Sequence, residues 1–231
     1  MVLVQRSSGW KGGFKKGVGV TPPPVRNDRG AIGPPKADRT GGGVICLASS
    51  SPRRKTLLKK AGIRFRVVKP FYHEKEDAGV SVSTLTRRHA LGKALSVLPR
   101  VKNGLILGAD TVVHFGSRVI GKPRSARHAR AMLGALQGRK HKVLTSVALV
   151  RAKDGKLLDK VVFTEKTFVW LRPMSAKQIR QYQHRIGPLD KAGAYAIQSK
   201  GPGIVERVQG SFTNAVGLPM EKLKKTLRML R

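Results

Sequence analysis

From residue 44 onward, short apolar runs alternate with segments in which apolar residues recur every three or four positions. Runs of the first kind predict buried strands, and segments of the second kind predict amphipathic helices. The strand-like runs are 44–48, 105–115, 118–120, 143–150, 157–171, 194–198 and 204–208. The helix-like segments are 52–61, 83–98, 125–137, 175–185 and one that starts near Met220. This alternation predicts a single α/β domain, with a division into two lobes possible.

Turn and capping residues mark the ends of these elements. Serine before proline is the usual order of an N-cap and a first helical residue, and Asp-Gly favours a tight hairpin. A serine followed three positions later by glutamine is typical of a capping box. These signals are Ser51-Pro52, Gly116-Ser117, Asp154-Gly155 and Ser175 with Gln178. They predict two hairpins and two helix starts.

Residues 1–43 depart from this pattern. They hold ten Gly, five Pro, eight basic residues and two acidic ones. Such a composition cannot bury enough apolar surface to fold alone, so we predict a basic Gly/Pro-rich extension at 1–43 and a folded domain at 44–231. The first twenty residues are compatible with a mitochondrial presequence, an RNA-binding arm or a solvated linker.

The sign of the charge narrows the range of partners. The chain has 47 Lys and Arg against 12 Asp and Glu, a net charge of +35, although its charged fraction of 26% is ordinary. The 188 residues after the extension still carry 39 basic and 10 acidic groups, a net charge of +29. A chain so basic is expected to bind a polyanion, namely nucleic acid, an anionic membrane or an acidic protein.

The cysteine count, the hydropathy and the histidine spacing exclude several classes of protein and site. The single cysteine, Cys46, excludes an internal disulfide framework and fits a reducing compartment such as the cytosol or the mitochondrial matrix. No apolar run approaches the 18 residues of a transmembrane helix, and the six histidines show no paired metal spacing. We expect Trp10 and Trp170 to form no aromatic platform with interleaved basic residues, of the kind that binds single-stranded RNA.

The stretch Ser49-Ser50-Ser51-Pro52-Arg53-Arg54 lies where a strand passes into a helix. The backbone N–H groups of a helix N-terminus, serine hydroxyls and two guanidinium groups together suit a phosphate. The alternative is an ordinary capped helix with two solvated arginines. The later stretch Gly116–Lys122 imitates a P-loop, but Pro123 stands where that motif needs Ser or Thr and a hairpin precedes it, so we reject that interpretation.

Acidic residues are scarce, which draws attention to those that remain. Asp110 interrupts the apolar run 105–115. A buried carboxylate is costly unless it is paired or metal-bound, so Asp110 suits a general base or a metal ligand; the alternative is a carboxylate held by structural hydrogen bonds. Glu74, Glu76 and Asp77 cluster in a loop that predicts either part of a magnesium site or a solvated acidic loop.

Five sequence blocks, in this order, resemble the Maf family of nucleotide pyrophosphatases, over about residues 44–229. The blocks are Ser49–Arg54 with the pattern S-x-S-x-R-R, Leu107–Val113, Gly121–Pro123, Asp190–Gln198 and Gly210–Pro219. The resemblance implies a Maf/inosine-triphosphatase-like mixed sheet with flanking helices and two lobes around a cleft. It also implies hydrolysis of a nucleoside triphosphate to a monophosphate and pyrophosphate with Mg²⁺ or Mn²⁺. A family-type homodimer is allowed but is not expected inside a particle.

Site roles follow from the same resemblance. Asp110 would activate the attacking water, and Glu74 with Asp110 would hold the metal. The substrate-binding residues would be Ser49, Ser51, Arg53, Arg54, Lys93, Thr111, Lys122 and Gln198. The chain departs from the family where Phe71-Tyr72-His73-Glu74 keeps only the glutamate of an acidic stretch, and where Ala196 and Ser146 replace the usual glycines. Fewer carboxylates should weaken metal binding, so we expect reduced activity.

Two hypotheses follow. In the first, the chain is a working pyrophosphatase carried in an RNA-rich particle, the mitochondrial ribosome. In the second, it is a catalytically weak or inactive ribosomal protein or assembly factor that uses the same fold to bind rRNA. Both predict rRNA and ribosomal proteins as partners and no membrane, with the mitochondrial matrix as the expected location and the cytoplasm as the alternative.

Overall fold

The computed structural model describes residues 3–5, 43–75, 79–198 and 202–230. The rest of the predicted extension lies outside the described residues, as do Glu76 and Asp77. The predictions made for them, including a presequence, an RNA-binding arm and a wider acidic metal site, therefore remain predictions.

A mixed sheet of eight strands forms the centre of the domain. The strands are β1 (Leu3–Gln5), β2 (Ile45–Ala48), β3 (Phe65–Val67), β4 (Gly104–Phe115), β5 (Arg118–Ile120), β6 (Lys140–Lys153), β7 (Lys156–Leu171) and β8 (Val205–Gln209). Their order is β1-β7-β6-β4-β2-β3, with β5 paired to β4 and β8 paired to β7. Strand β2 runs parallel to β3 and β4, and the other pairs are antiparallel.

Six α-helices flank this sheet among the described residues. They are α1 (Pro52–Lys60), α2 (Val82–Leu95), α3 (Ala126–Leu136), α4 (Ala176–Ile186), α5 (Phe212–Val216) and α6 (Met220–Met229). Helix α2 covers one sheet face, where Ala90 and Ala94 pack with Ile106 and Ala148. On the opposite face, α1 and α6 build one core and α3 and α4 build another. The predicted mixed α/β fold with flanking helices and two lobes is confirmed.

Most predicted turns and caps occur where the sequence placed them. The hairpin between β6 and β7 turns at Asp154 and Gly155, both with positive φ (52° and 74°), as a tight hairpin with a primed turn requires. Ser175 and Gln178 form the predicted capping box of α4. The β4–β5 hairpin is also present, which confirms that no P-loop follows β4.

Three expectations about the elements are wrong. Residues 194–198 form no strand: Gly193 and Ala194 adopt positive φ in a short 3-10 turn. The Tyr182 hydroxyl then accepts from the backbone N–H of Ala196 and donates to its carbonyl, so a side chain replaces a strand ladder there. The segment 83–98 is helical only as α2, after which residues 98–100 form a 3-10 turn. Strands β1 and β3 and helix α5 were not expected, because all three are too short to show a period. Strand β1 lies within the predicted extension and pairs with β7.

The expectation that Trp170 belongs to no aromatic platform is also wrong. Phe168 and Trp170 lie on the same face of β7, with ring centroids 6.3 Å apart. Basic side chains from neighbouring strands lie over both rings. Separately, no helix of the described residues is both long and apolar enough to span a bilayer.

Candidate functional site

A cleft of about 1660 Å³ opens between the two lobes. Its walls include all ten residues that the sequence predicted for substrate and metal: Ser49, Ser51, Arg53, Arg54, Glu74, Lys93, Asp110, Thr111, Lys122 and Gln198. The structure therefore brings the five sequence blocks to one site, although they span most of the domain.

The N-terminus of α1 forms one wall of the cleft. Ser51 is the N-cap residue and Pro52 the first helical residue, as predicted, but the Ser51 side chain makes no capping hydrogen bond. Ser49 Oγ instead accepts from the backbone N–H of Ser51 at 3.3 Å. The Ser51 hydroxyl at this helix end thus remains available to an anion that enters the cleft.

The two arginines of α1 occupy different environments. Arg53 lies at the cleft surface, where its Nη1 is 2.7 Å from Oδ2 of Asp190 and its Nη2 donates to the Asp190 carbonyl at 3.0 Å. Lys191 also pairs with the Asp190 carboxylate. This cluster connects α1 to the turn that follows α4, so it links the two lobes across the cleft.

Arg54 is buried, with 9% of its surface exposed. Its Nε donates to the Gly217 carbonyl at 2.9 Å, its Nη1 to Ser49 Oγ at 3.1 Å and its Nη2 to Thr111 Oγ1 at 2.9 Å. Thr111 Oγ1 is in turn 3.0 Å from Thr145 Oγ1. Arg54 therefore fixes two predicted substrate-binding hydroxyls relative to each other.

A carboxylate pair bridged by a lysine lies at the base of the cleft. Asp110, on β4, is 4% exposed. Lys93 Nζ, on α2, donates to Asp110 Oδ1 at 2.6 Å and lies 2.7 Å from Glu74 Oε1. The second oxygen, Asp110 Oδ2, is buried and has no hydrogen-bond partner. A buried anionic oxygen without a partner is costly, and its environment suits a bound cation or a reacting proton.

Asp110 is a carboxylate at physiological pH. Burial raises its pKa, but the neighbouring His89 imidazole, the Lys93 ammonium and the Arg54 guanidinium lower it and together hold it at about 2. Because the lowering depends on cations that also face the cleft, an anionic ligand that draws them away would make Asp110 more basic.

His89 is a site residue that stands in none of the five sequence blocks. It lies on α2 one turn before Lys93, is 5% exposed, and places its Nδ1 3.6 Å from Asp110 Oδ2. Its Nε2 lies 3.1 Å from the Lys75 carbonyl, a contact in which Nε2–H donates and Nδ1 faces the carboxylate. The Asp110 carboxylate is the main cause of the raised pKa of His89, against the opposing effect of burial. The four-residue spacing from Lys93 was the only available signal.

Two glycines allow the close packing that assembles this centre. A Cβ at Gly108 of β4 would lie 2.2 Å from the Ala90 carbonyl oxygen, so α2 can approach the strand next to Asp110 only because Gly108 has no side chain. A Cβ at Gly92 would lie 2.1 Å from the Tyr72 ring, which rests on α2 and holds the loop that carries Glu74. Small residues therefore set the distances between the charged groups.

Glu74, His89 and Asp110 form the one group of His, Cys and acidic residues that could hold a metal ion within the described ranges, with ligand atoms within 4.8 Å of one another. Two carboxylate oxygens and an imidazole nitrogen are donors that divalent cations accept. The partnerless Asp110 Oδ2 and the imidazole nitrogen directed towards it fit such an ion.

Lys122 and Gln198 belong to the opposite side of the cleft and are exposed. The Gly193 N–H donates to the Gly121 carbonyl at 3.0 Å, which ties the lysine turn to the segment that leads to Gln198. Both side chains can thus contact a ligand in the cleft from the wall opposite Asp110, Lys93 and Glu74.

Two residues, Ser146 and Ala196, stand where the family resemblance implies glycine, and both make hydrogen bonds. Ser146, which pairs with Asp110 in the β4–β6 ladder, is fully buried and donates to Thr86 Oγ1 at 2.8 Å, with Thr164 Oγ1 at the same distance. Ala196 exchanges two backbone hydrogen bonds with the Tyr182 hydroxyl. Ala196 lines the cleft, whereas Ser146 does not.

Comparison with known proteins identifies one family model and relatives that share one name. A family model described as Maf-like protein matches residues 44–230. A protein of Gloeobacter violaceus named dTTP/UTP pyrophosphatase is 43% identical over 179 residues, which cover 78% of this chain and 92% of that protein. A protein of the same name from Symbiobacterium thermophilum is 42% identical over 186 residues, covering 80% and 92%. Among solved structures, the Ham1 protein of Staphylococcus aureus aligns with 82% of this chain and 100% of its own, at 14% identity and a TM-score of 0.47.

Proposed function

Because this chain belongs to the Maf family, we propose that it is a nucleoside triphosphate pyrophosphatase that releases a nucleoside monophosphate and pyrophosphate. The observation that carries this proposal is the Asp110–Lys93–Glu74 centre at the base of a cleft lined with phosphate-binding groups. The relatives are named dTTP/UTP pyrophosphatases, so dTTP and UTP are the first substrates to test.

Phosphate recognition is assigned to groups on both walls of the cleft. The α1 N-terminus, Arg53 and Lys122 supply positive charge, which stabilises the charge that develops on the phosphates during bond cleavage. Gln198 orients the substrate from the second lobe. Arg54 acts through the hydroxyls that it holds, Ser49 and Thr111, while Ser51 Oγ is directly available because it makes no capping bond.

Lys93 couples substrate binding to the basicity of Asp110. A phosphate oxygen competes with the Asp110 carboxylate for the Lys93 ammonium, since both accept strong charge-assisted hydrogen bonds. When Lys93 turns to the phosphate, the pKa of Asp110 loses one of the contributions that keep it low. Asp110 then becomes a better acceptor for the proton of the attacking water at the moment when substrate is present.

We further propose that Glu74, His89 and Asp110 would hold the divalent cation. When bound, such an ion neutralises phosphate charge and lowers the pKa of water. His89 supplies a nitrogen donor where the acidic stretch of the family is reduced to Glu74. Because Mg²⁺ takes oxygen ligands, the imidazole nitrogen in this donor set favours Mn²⁺ over Mg²⁺.

The test is release of pyrophosphate from dTTP and UTP with Mn²⁺ or Mg²⁺. Asp110→Asn should abolish it, whereas Asp154→Asn, the same change in the β6–β7 turn outside the cleft, should leave it unchanged. Absence of turnover across the full set of ribo- and deoxyribonucleoside triphosphates with either metal would overturn the proposal.

A second function is favoured by the charge of the domain. The +29 carried by residues 44–231 exceeds what a nucleotide site uses, and it supports carriage in an RNA-rich particle, the mitochondrial ribosome of the matrix, with rRNA and ribosomal proteins as partners. If the site proves inactive, this binding role would be the main one. The tagged chain should co-sediment with ribosomal particles at moderate salt and dissociate at high salt; a free monomer at low salt would contradict this role.

A further inference from the structure

One end of the sheet presents a continuous surface of basic and aromatic side chains, which we call the basic–aromatic face. It consists of Lys140 and Lys142 on β6, Lys166, Phe168 and Trp170 on β7, and Arg207 on β8. The register places them side by side, since Trp170 pairs with Lys140 and with Arg207, and Phe168 pairs with Lys142.

This face is open because α2 covers only part of its side of the sheet. Towards one end, Ala148 and Val150 of β6 are buried under α2, and Ser146 still bonds to Thr86 of that helix. Lys142 and Lys140 continue the same alternation beyond the helix and are exposed. The opposite side of the same strands is buried against α3 and α4, so only this side is accessible.

The cations of this face lie over aromatic rings. Lys140 Nζ is 4.3 Å from the centroid of Phe168 and 4.9 Å from that of Trp170. Lys166 Nζ is 5.4 Å from the Phe168 centroid, and the Arg207 guanidinium is 4.9 Å from the Trp170 centroid. A depression of about 300 Å³, lined by Lys140, Lys142, Phe168 and the neighbouring His114, adjoins the rings.

No acidic residue belongs to the basic–aromatic face. Within the described ranges, none of its four cations forms an ion pair with a carboxylate, in contrast to Arg53 and Lys93 of the cleft. Their positive charge is therefore not neutralised by the protein. An incoming polyanion can bind these cations without displacing a carboxylate.

We infer that the basic–aromatic face binds single-stranded RNA, an inference that rests on the RNA-binding half of the proposed function. When the cations over the rings turn to phosphates along the strand, unpaired bases can take their place and stack on Phe168 and Trp170. A duplex hides its bases from such rings. Unpaired stretches are common in cellular RNA and rare in DNA, which makes RNA the ligand of choice.

The experiment measures the affinity of the full chain for a labelled oligouridylate at several salt concentrations. The double variant Phe168→Leu with Trp170→Leu keeps apolar bulk and removes the rings, so its affinity should fall roughly tenfold or more. The triple variant Lys140→Gln, Lys142→Gln and Lys166→Gln should reduce the slope of log K against log salt by about 2.

A matched control removes the same charge elsewhere. Lys224→Gln, Lys225→Gln and Arg228→Gln alter exposed positions of α6, on the other side of the sheet. This triple variant should bind RNA better than the triple variant of the face. None of the six face residues lines the cleft, so pyrophosphate release by the variants reports that the domain is folded.

The outcomes separate this inference from the function on which it rests. RNA binding by the wild type that is equal in the face variants and the α6 variant overturns the basic–aromatic face and leaves RNA binding itself intact. Absence of RNA binding by the wild type overturns both. Tighter binding of duplex RNA, or of single-stranded DNA of the same base sequence, overturns the assignment to single-stranded RNA.

Discussion

The ammonium group of Lys93 lies 2.6 Å from the carboxylate oxygen Oδ1 of Asp110. The two residues come from different elements, a helix and a strand, and the glycine beside Asp110 allows these elements to approach closely. The same ammonium also binds Glu74. Lys93 therefore controls both the charge of the candidate base and the position of the second acid, and several measurable consequences follow from that contact.

Replacing Lys93 with methionine should lower kcat/KM by roughly a hundredfold, because a phosphate contact is lost and Asp110 is no longer coupled to substrate binding. The pKa of Asp110 rises when the cation is removed, so the acidic limb of the pH–rate profile should move to higher pH. The control is Lys222→Met on α6, which breaks the ion pair between Lys222 and Glu165 of β7. An acidic limb that stays in place would contradict the coupling.

Replacing His89 with leucine should weaken Mn²⁺ binding roughly tenfold or more, because the ion loses its one nitrogen donor. Electron paramagnetic resonance of the bound ion gives the dissociation constant without substrate. His184→Leu, at an exposed position of α4, should bind Mn²⁺ as the wild type does. If His89→Leu retains full affinity while Glu74→Gln and Asp110→Asn lose it, His89 is not a ligand.

Buried His141 should make the fold sensitive to acid. Burial lowers its pKa to about 4, while in the unfolded chain its pKa is about 6.5, so the unfolded state binds the proton first. The stabilisation is complete above pH 6.5 and is lost as the pH falls towards 4, by about 2 kcal/mol between pH 7 and pH 5.

Urea unfolding of the wild type and of His141→Phe at these two pH values tests this contribution. The variant should lose less stability on acidification than the wild type. His89 acts in the opposite direction because its pKa is raised, but it is present in both proteins and cancels in the comparison. Equal losses in the two proteins would show that His141 does not titrate in this range.

Replacing Gly108 with alanine should destabilise the domain by about 3 kcal/mol or prevent folding, because the new Cβ would lie 2.2 Å from a backbone oxygen of α2. Gly134→Ala is the matched control: it lies on α3 with no atom within 4 Å of the new Cβ. That change should stabilise the domain by about 0.5 kcal/mol or more. Thermal unfolding of both variants distinguishes the two cases, and a tolerated Gly108→Ala would mean that α2 can shift.

Much of the fold follows from local patterns in the sequence. Apolar runs, caps and turn dipeptides located the long strands and helices because each is a property of neighbouring residues. The segment 194–198 was misassigned because its alternation looks like a strand, whereas the positive φ of Gly193 and the Tyr182 hydroxyl direct its backbone elsewhere.

Residues of the site could be predicted where the family resemblance assigns them a role, and not elsewhere. Asp110 and Arg53 stand in recognisable blocks, but His89 has only its spacing from Lys93 and the packing of α2 to place it. The basic–aromatic face depends on strand register, because Lys140 meets Trp170 only through the ladder between β6 and β7. Such contacts between distant positions cannot be inferred from the period of a single strand.

The ion pair between Arg53 and Asp190 affects both the binding of substrate and the release of products in the cleft. An incoming ligand must displace one carboxylate from Arg53. A triphosphate, with several negative charges, competes well for the guanidinium, whereas a monophosphate offers fewer. After hydrolysis to the monophosphate and pyrophosphate, each product carries less negative charge than the triphosphate. Asp190 then competes better for Arg53, so the contact that yields to the substrate favours release of the products.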